Sequence, residues 1–304
     1  MPEFIDAHGI AIVYDVHPAQ GTPRGVVQLL HGVGEHAGRY GDLIAALTAD
    51  GFTVYADDHR GHGRTGLRQH GGDHSRLGRL GPGGLRAAVA ACRRLTGIIR
   101  DRHPGLPLVL LGHSWGSFLA QKLVNASPDA YDALVLSGSS LLWPGALNAA
   151  PLNKRWAGEG ASGVEWLSTD AAVGRAFLDD PLTTVVPLPR LFGPIDTLRL
   201  IGKPRRHLGV TLPVLLMVGR DDPVGGPRSV HRLADAYRSR SGLTDVTTLV
   251  YPDARHEIFN EHCAAEARAD LLAWLDARIA RRDAASVPEG SPAAATAAPV
   301  DAPE

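Results

Sequence analysis

Short apolar runs alternate with stretches of helical periodicity along most of this chain. Residues 10–16, 25–30, 52–56, 106–111, 134–136, 214–218 and 246–250 read as strands, several of them apolar throughout. Between them, 39–48, 85–99, 117–125, 228–238 and 258–279 place apolar side chains at helical spacing, as Leu43, Ile44 and Leu47 do in the first. Strand and helix in alternation predict an α/β fold. Its central sheet is mainly parallel, with helices on both faces and apolar strands buried between them. No helical pattern separates the first two strands, so an antiparallel edge is expected there.

The rhythm fails between 141 and 210. This segment carries Pro144, Pro151, Pro181, Pro187, Pro189, Pro194 and Pro204 among short amphipathic pieces, with Trp143, Trp156 and Trp166. An irregular insertion of this length in an α/β domain points to function, and its aromatic content argues against a disordered linker. It is read as a cap, 141–210, inserted in a core formed by 1–140 and 211–282. Its runs Val185–Pro189 and Leu191-Phe192 suit an apolar ligand and core packing equally. An Ala/Pro-rich tail, 283–304, is expected to be disordered.

Charge narrows the function classes. The 31 basic and 32 acidic residues give a net charge of −1, with no block of like charge, so electrostatic binding of nucleic acid is not expected. Cys92 and Cys263, the two cysteines, lie in helical patterns and read as buried apolar groups. The first residues carry no secretory pattern. No run approaches the roughly 18 apolar residues of a membrane span. A cytoplasmic protein is expected.

The chemistry is concentrated in Gly112-His113-Ser114-Trp115-Gly116, a G-x-S-x-G sequence between a predicted strand and a predicted helix. In that context the serine sits on a strained turn that lifts its hydroxyl into a cleft. A serine hydroxyl needs a base, and the base needs an orienting acid. Only four histidines follow Ser114: His207, His231, His256 and His262. His256 stands between the last strand and the last helix, at the carboxyl end of the sheet. Two aspartates, Asp221 and Asp222, follow the preceding strand. Asp222 is favoured, because Pro223 biases it towards an extended or turn backbone. Oxyanion donors are expected at the Trp115 N–H and at Val33, in the loop His31-Gly32-Val33-Gly34, with His31 bracing that loop. Asp57, Asp58, His59 and His62 form a second cluster. It has metal-ligand character but no partner cluster with ligand spacing.

These segments resemble the monoacylglycerol lipase and lysophospholipase-like group of α/β-hydrolases, the serine aminopeptidase S33-type family. The likeness lies in His31-Gly32-Val33-Gly34-Glu35-His36 with Arg39-Tyr40, in Asp58-His59-Arg60-Gly61-His62-Gly63, in the serine elbow, and in Asp222-Pro223-Val224 with Ala254-Arg255-His256-Glu257. It spans about residues 3 to 280 outside much of the cap. The resemblance implies an α/β-hydrolase fold, catalytic roles for Ser114, Asp222 and His256, oxyanion roles for Val33 and Trp115, and no metal or organic cofactor. The implied activity is hydrolysis of a small-molecule acyl ester, monoacylglycerol or a lysophospholipid-like lipid, through an acyl-enzyme. The cap would allow transient membrane contact. An amidase, a peptidase, a cofactor-free haloperoxidase and a non-catalytic ligand-binding homologue are the alternatives. The sequence departs from the family in having Trp115 where Met is usual, Ser117 where Gly is usual, and Thr65 in place of a serine. The Trp115 indole is expected to narrow an acyl pocket. Trp143 is expected to wall its mouth or to pack the cap onto the core.

Overall fold

A computed structural model describes residues 1–148 and 150–279. The sequence-read tail, 283–304, lies outside the described residues. The strands are β1 (Glu3–Ile5), β2 (Ala11–His17), β3 (Gly25–Leu30), β4 (Phe52–Asp57), β5 (Leu108–His113), β6 (Ala133–Ser137), β7 (Val214–Gly219) and β8 (Val246–Tyr251). They form one sheet in the order β1-β2-β4-β3-β5-β6-β7-β8. From β4 to β8 every pairing is parallel, while β1, β2 and β4 pair antiparallel. The antiparallel edge therefore contains β1 and β2 but not β3, which crosses inward to lie between β4 and β5.

The pleat divides the core in two. On β5, Leu108 and Leu110 face one apolar cluster, and Val109 and Leu111 face the other, as side-chain alternation requires. Helices α3 (Gly84–Arg102) and α4 (Trp115–Ala126) cover the first face, and α1 (Gly41–Ala49) packs on the second, with α2 (Gly63–Gln69) lying beside β2. In α3, Leu85, Ala88, Cys92, Leu95 and Ile99 recur at three- and four-residue intervals and are buried, which is the apolar stripe of an amphipathic helix. Arg100 and Arg102 in its last turn complement the helix dipole.

Between β6 and β7 the chain runs through α5 (Ala171–Asp179) and α6 (Leu188–Leu200). The latter is two helical pieces joined at Gly193 (φ 74°, ψ 174°), with Pro194 next. Only a residue without a Cβ takes that backbone cheaply, and the proline cannot continue the helical ladder. Leu191, Phe192 and Leu200 sink into the first core cluster, whereas Val185 and Val186 are exposed. The two apolar runs of the insertion thus have different fates.

After β7 come α7 (Gly226–Ser239), then β8, then α8 (Ala264–Asp276). The helix read over 258–279 is broken. A 3₁₀ turn at Ile258–Asn260 precedes α8, and Cys263 stands at its N-cap. Periodicity alone carried the pattern across this break because Ile258 and Phe259 are buried while forming no part of the helix. The crossover from β3 to β5 and the run from β5 to β8 leave the loops after β3, β5, β7 and β8 at one edge. In an open α/β sheet this edge holds the ligand site.

Candidate active site

Ser114 follows β5 directly, with φ 52° and ψ −122°. A non-glycine residue in that region is strained and persists only where the surroundings impose it. Two close approaches impose it here. A Cβ at Gly112 would lie 2.5 Å from the Gly116 carbonyl oxygen, and one at Gly116 would lie 2.1 Å from the Leu30 carbonyl oxygen. The turn is further pinned by the Ser114 N–H donating to Ser137 O at 2.9 Å and by Ser117 Oγ donating to Ser114 O at 2.5 Å. Ser117, in the place of a glycine, thus ties the elbow to its own helix. Thr65 stands apart: its hydroxyl accepts the Val13 N–H at 2.9 Å and ties α2 to β2.

The loops after β7 and β8 meet beside the elbow. Asp222 Oδ1 and His256 Nδ1 are 3.0 Å apart, both groups being buried. Asp221 points the other way and pairs with Arg155 at 2.5 Å near the surface. Of the two aspartates left by the sequence, Asp222 holds the imidazole. Burial lowers the His256 pKa, but Asp222, by charge and hydrogen bond, and the carboxylates of Glu257 and Glu35 outweigh it, so the net shift is upward. His256 Nε2 is buried and has no hydrogen-bond partner among the described residues. The bond to Ser114 Oγ is therefore not made in this state. Serine–histidine bonds in unliganded sites are often long and tighten when substrate binds.

Val33 lies in the loop after β3, and its N–H meets no acceptor among the described residues. Trp115 is the first residue of α4, so its N–H is one of the helix's unpaired donors. His31 is fully interior: Nδ1 meets Gly32 O at 2.7 Å and Nε2 accepts the His59 N–H at 2.9 Å. Burial, then the neighbouring His59 and His62, holds its pKa well below the ordinary value. It braces the loop as a neutral ring.

The Trp115 indole is wholly buried, stacked on His62 at 5.0 Å and set edge-on to Phe192 of α6 at 5.0 Å. Its size is absorbed by packing between the elbow and the insertion, not by narrowing an open channel. Among the tryptophans of the insertion, Trp166 meets the site, its ring 4.9 Å from that of His256. Trp143 is 40% exposed with Lys203 Nζ 3.9 Å over its ring. The sequence had given Trp166 no role, because nothing in its local spacing links it to His256.

The insertion reaches two of the site's loops, the one after β3 and the one after β8. Thr184 donates its N–H to Gly34 O at 2.8 Å, His36 Nε2 lies 2.8 Å from Asp180 Oδ2, and the Glu257 N–H donates to Leu167 O at 2.8 Å. Ser114 is left 8% exposed. The second histidine cluster gains a member the spacing did not reveal: Cys92 of α3 lies with Asp57 and His59, their donor atoms within 4.8 Å of one another. His59 Nδ1 is already engaged by Asp57 Oδ2 at 2.8 Å, and burial, reinforced by Asp57, pushes the Cys92 thiol well up. The Cys92 thiol therefore stays protonated, 3.8 Å from His59 Nδ1, while His59 Nε2 is buried without a hydrogen-bond partner among the described residues.

A mainly parallel sheet whose fifth strand ends in a strained serine elbow, with an acid and a histidine on the last two loops, defines an α/β-hydrolase. The sequence profile of the family described as serine aminopeptidase, S33, matches residues 21–263, and the chain belongs to that family. The monoacylglycerol lipase of Mycolicibacterium smegmatis is 35% identical over 286 residues, covering 90% of this chain and 95% of the relative. The human monoglyceride lipase is 25% identical, with 95% and 94% covered. Among solved structures, a thermostable carboxyl esterase from Bacillus coagulans superposes with a TM-score of 0.77 at 24% identity, over 91% of this chain and 98% of that one. The monoacylglycerol lipase of Paleococcus ferrophilus does so with a TM-score of 0.65 at 25% identity, over 88% and 99%. The protein is a serine hydrolase, and the chemistry its family supports is hydrolysis of acyl esters.

Proposed function

We propose that the protein hydrolyses monoacylglycerol or a similar single-chain acyl ester, with Ser114 as nucleophile, His256 as base and Asp222 as its orienting acid. The observation that carries this reading is the 3.0 Å contact of Asp222 with His256 Nδ1 beside the strained elbow. Asp222 holds the proton on Nδ1, leaving the Nε2 lone pair for the hydroxyl proton. Ser114 Oγ attacks the ester carbonyl as Nε2 takes its proton. The oxyanion collects on the N–H groups of Val33 and Trp115. The imidazolium then protonates the leaving alcohol, and the acyl group stays on Oγ. Water, deprotonated by Nε2, releases the acid and restores the serine. Every step uses groups of this chain, so no cofactor is invoked.

We assign 141–210 as a cap over this site, on the bonds it makes to the loops of Gly34, His36 and Glu257. Val185 (60% exposed), Ile195 (65%) and Leu198 (65%) give the cap an apolar outer surface, which suits brief contact with a lipid surface. No described helix is long and apolar enough to cross a membrane. The two free cysteines fit a cytoplasmic enzyme.

The test is Ser114→Ala, assayed on monoacylglycerols beside matched amides. Loss of the nucleophile of a triad costs about 10⁶-fold in rate, and the variant should fail to react with a fluorophosphonate probe. Ester turnover that survives in a pure, folded variant would remove the assignment. Amide turnover exceeding ester turnover in the unmodified enzyme would replace the substrate class.

A further inference from the structure

The loop after β3 carries three polar residues that the ester chemistry leaves unused: Glu35 and Tyr40, both buried, and Arg39, whose side chain is mostly covered. Glu35 Oε1 accepts the Gly32 N–H and the Tyr40 hydroxyl, each at 2.6 Å, and Oε2 accepts Arg39 Nη1 at 2.6 Å. The same guanidinium forks onto Glu257, Nη1 to Oε1 at 2.7 Å and Nη2 to Oε2 at 2.8 Å. Asn260 Nδ2 also donates to Glu257 Oε2, at 2.9 Å. Glu257 is the neighbour of His256 in the chain, and Gly32 is the neighbour of Val33. One guanidinium therefore joins the loop that holds the Val33 amide to the loop that holds the imidazole.

No ladder of the sheet can do this. β3 and β8 are separated by β5, β6 and β7, so backbone hydrogen bonding cannot transmit the position of one loop to the other. A planar fork with fixed donors is suited to the task, where a single ammonium is not. Stability alone does not account for the arrangement. Burying two carboxylates and a cation costs desolvation that well-packed apolar groups avoid, yet the Arg39, Glu35 and Glu257 side chains are only 10%, 5% and 5% exposed. What the bridge supplies is geometry.

We propose that Arg39, through Glu35 and Glu257, is a positioning residue for the hydrolysis: it locks the oxyanion loop and the histidine loop into one unit. The inference rests on the roles given above to Ser114, His256 and Val33. The bridge also leaves one carboxylate unbalanced near the imidazole. The charged and titratable groups around His256 are Asp222 from the loop after β7, His113 from the end of β5, Glu35 from the loop after β3, held in turn by Arg39, and Glu257 beside it. Removing either glutamate charge withdraws support from the imidazolium formed in the reaction. Arg39→Lys withdraws the fork and keeps the charge.

The experiment compares Glu35→Gln, Glu257→Gln, their double variant and Arg39→Lys. Each is tested as the full chain, by melting temperature and by kcat, KM and the pH profile on a short-chain p-nitrophenyl ester. Displacement of reacting groups by about 1 Å costs on the order of 100-fold. Each single variant should lose about 10- to 100-fold in kcat, with KM within about two-fold and a cooperative melt retained. The double variant should fall little below the worse single one, because both changes break one connection. The acid limb of kcat/KM should move to lower pH in the glutamine variants and stay in place in Arg39→Lys. Unchanged kcat in folded variants, or losses that multiply in the double variant, would overturn the proposal. If Glu35→Gln does not fold, Glu257→Gln and Arg39→Lys carry the same comparison. Ser114→Ala keeps the two readings apart. If it retains ester turnover, the site reading has failed whatever the bridge variants do. If it is inactive and the bridge variants are normal, only the bridge has failed.

Discussion

At the scale of single residues, the structure separates neighbours that are chemically alike. Asp221 and Asp222 differ by one position, yet one is paired with Arg155 near the surface and the other is buried on His256 Nδ1. Asp222→Asn should cost about 10⁴-fold in kcat, because an amide N–H facing Nδ1 favours the wrong tautomer. Asp221→Asn should change kcat less than about ten-fold, since an exposed ion pair contributes little. Steady-state kinetics on the two folded variants decides the matter, and the reverse order would exchange the aspartates. The pH profile follows from the same contact. In the proposed mechanism His256 acts only when neutral, and Asp222, Glu257 and Glu35 raise its pKa against the pull of burial. The acid limb of kcat/KM should therefore lie above 6.5, the ordinary histidine value, with activity falling as pH drops through it. A limb below that value would contradict the arrangement.

At the scale of elements, the insertion is tied to the loop after β3 through backbone. A Cβ at Gly34, where φ is 76°, would lie 2.4 Å from Thr184 O. Gly34→Ala should push the 180–187 strap outward, because a left-handed backbone and a rigid carbonyl both resist the methyl group. Limited proteolysis would detect this as faster cleavage within the insertion, and unchanged cleavage would detach the strap from the loop. The tryptophans divide by the same logic. Trp166→Ala removes a ring packed on His256 and should lower kcat/KM by about ten-fold or more on short and long esters alike, by freeing the imidazole to shift. Trp143→Ala, at a half-exposed ring beneath Lys203, should leave the ratio of long- to short-chain kcat/KM within about two-fold. A large change in that ratio would return Trp143 to the acyl pocket.

For the molecule as a whole, the site is built on interior histidines. Burial first, with the neighbouring imidazoles and against the carboxylates nearby, holds His62 and His113 at about 4 against the ordinary 6.5, and burial with His59 and His62 holds His31 well below it. Between those values the unfolded chain takes up protons that the folded chain refuses, so stability must fall as pH falls. The loss runs from pH 6.5 down to about 4, and each of His62 and His113 contributes on the order of 3 kcal/mol by its lower end. Urea unfolding at pH 7 and pH 5 should show a lower midpoint at pH 5. A midpoint constant across that window would mean that these rings are solvated.

Much of this protein was readable from its chain. Apolar strand runs, helical periodicity and the glycines of the elbow are local properties, and they determined the α/β class, the mainly parallel sheet and the turn that carries Ser114. Chain order pointed to the loops of the proposed acid and base, since loops at the carboxyl ends of late strands reach the elbow wherever those strands lie parallel. Other features needed the folded molecule. β3 left the antiparallel edge because pairing partners are chosen by the whole sheet. The final helix broke at Asn260 because apolar periodicity records burial, which a 3₁₀ turn also achieves. The pairing of Asp222 with His256 and of Asp221 with Arg155, the contact of Trp166 with His256, and the Arg39–Glu257 fork join residues between 34 and 218 positions apart. Such contacts leave no local trace, because distance along the chain carries no information about proximity until the sheet has set the loops side by side.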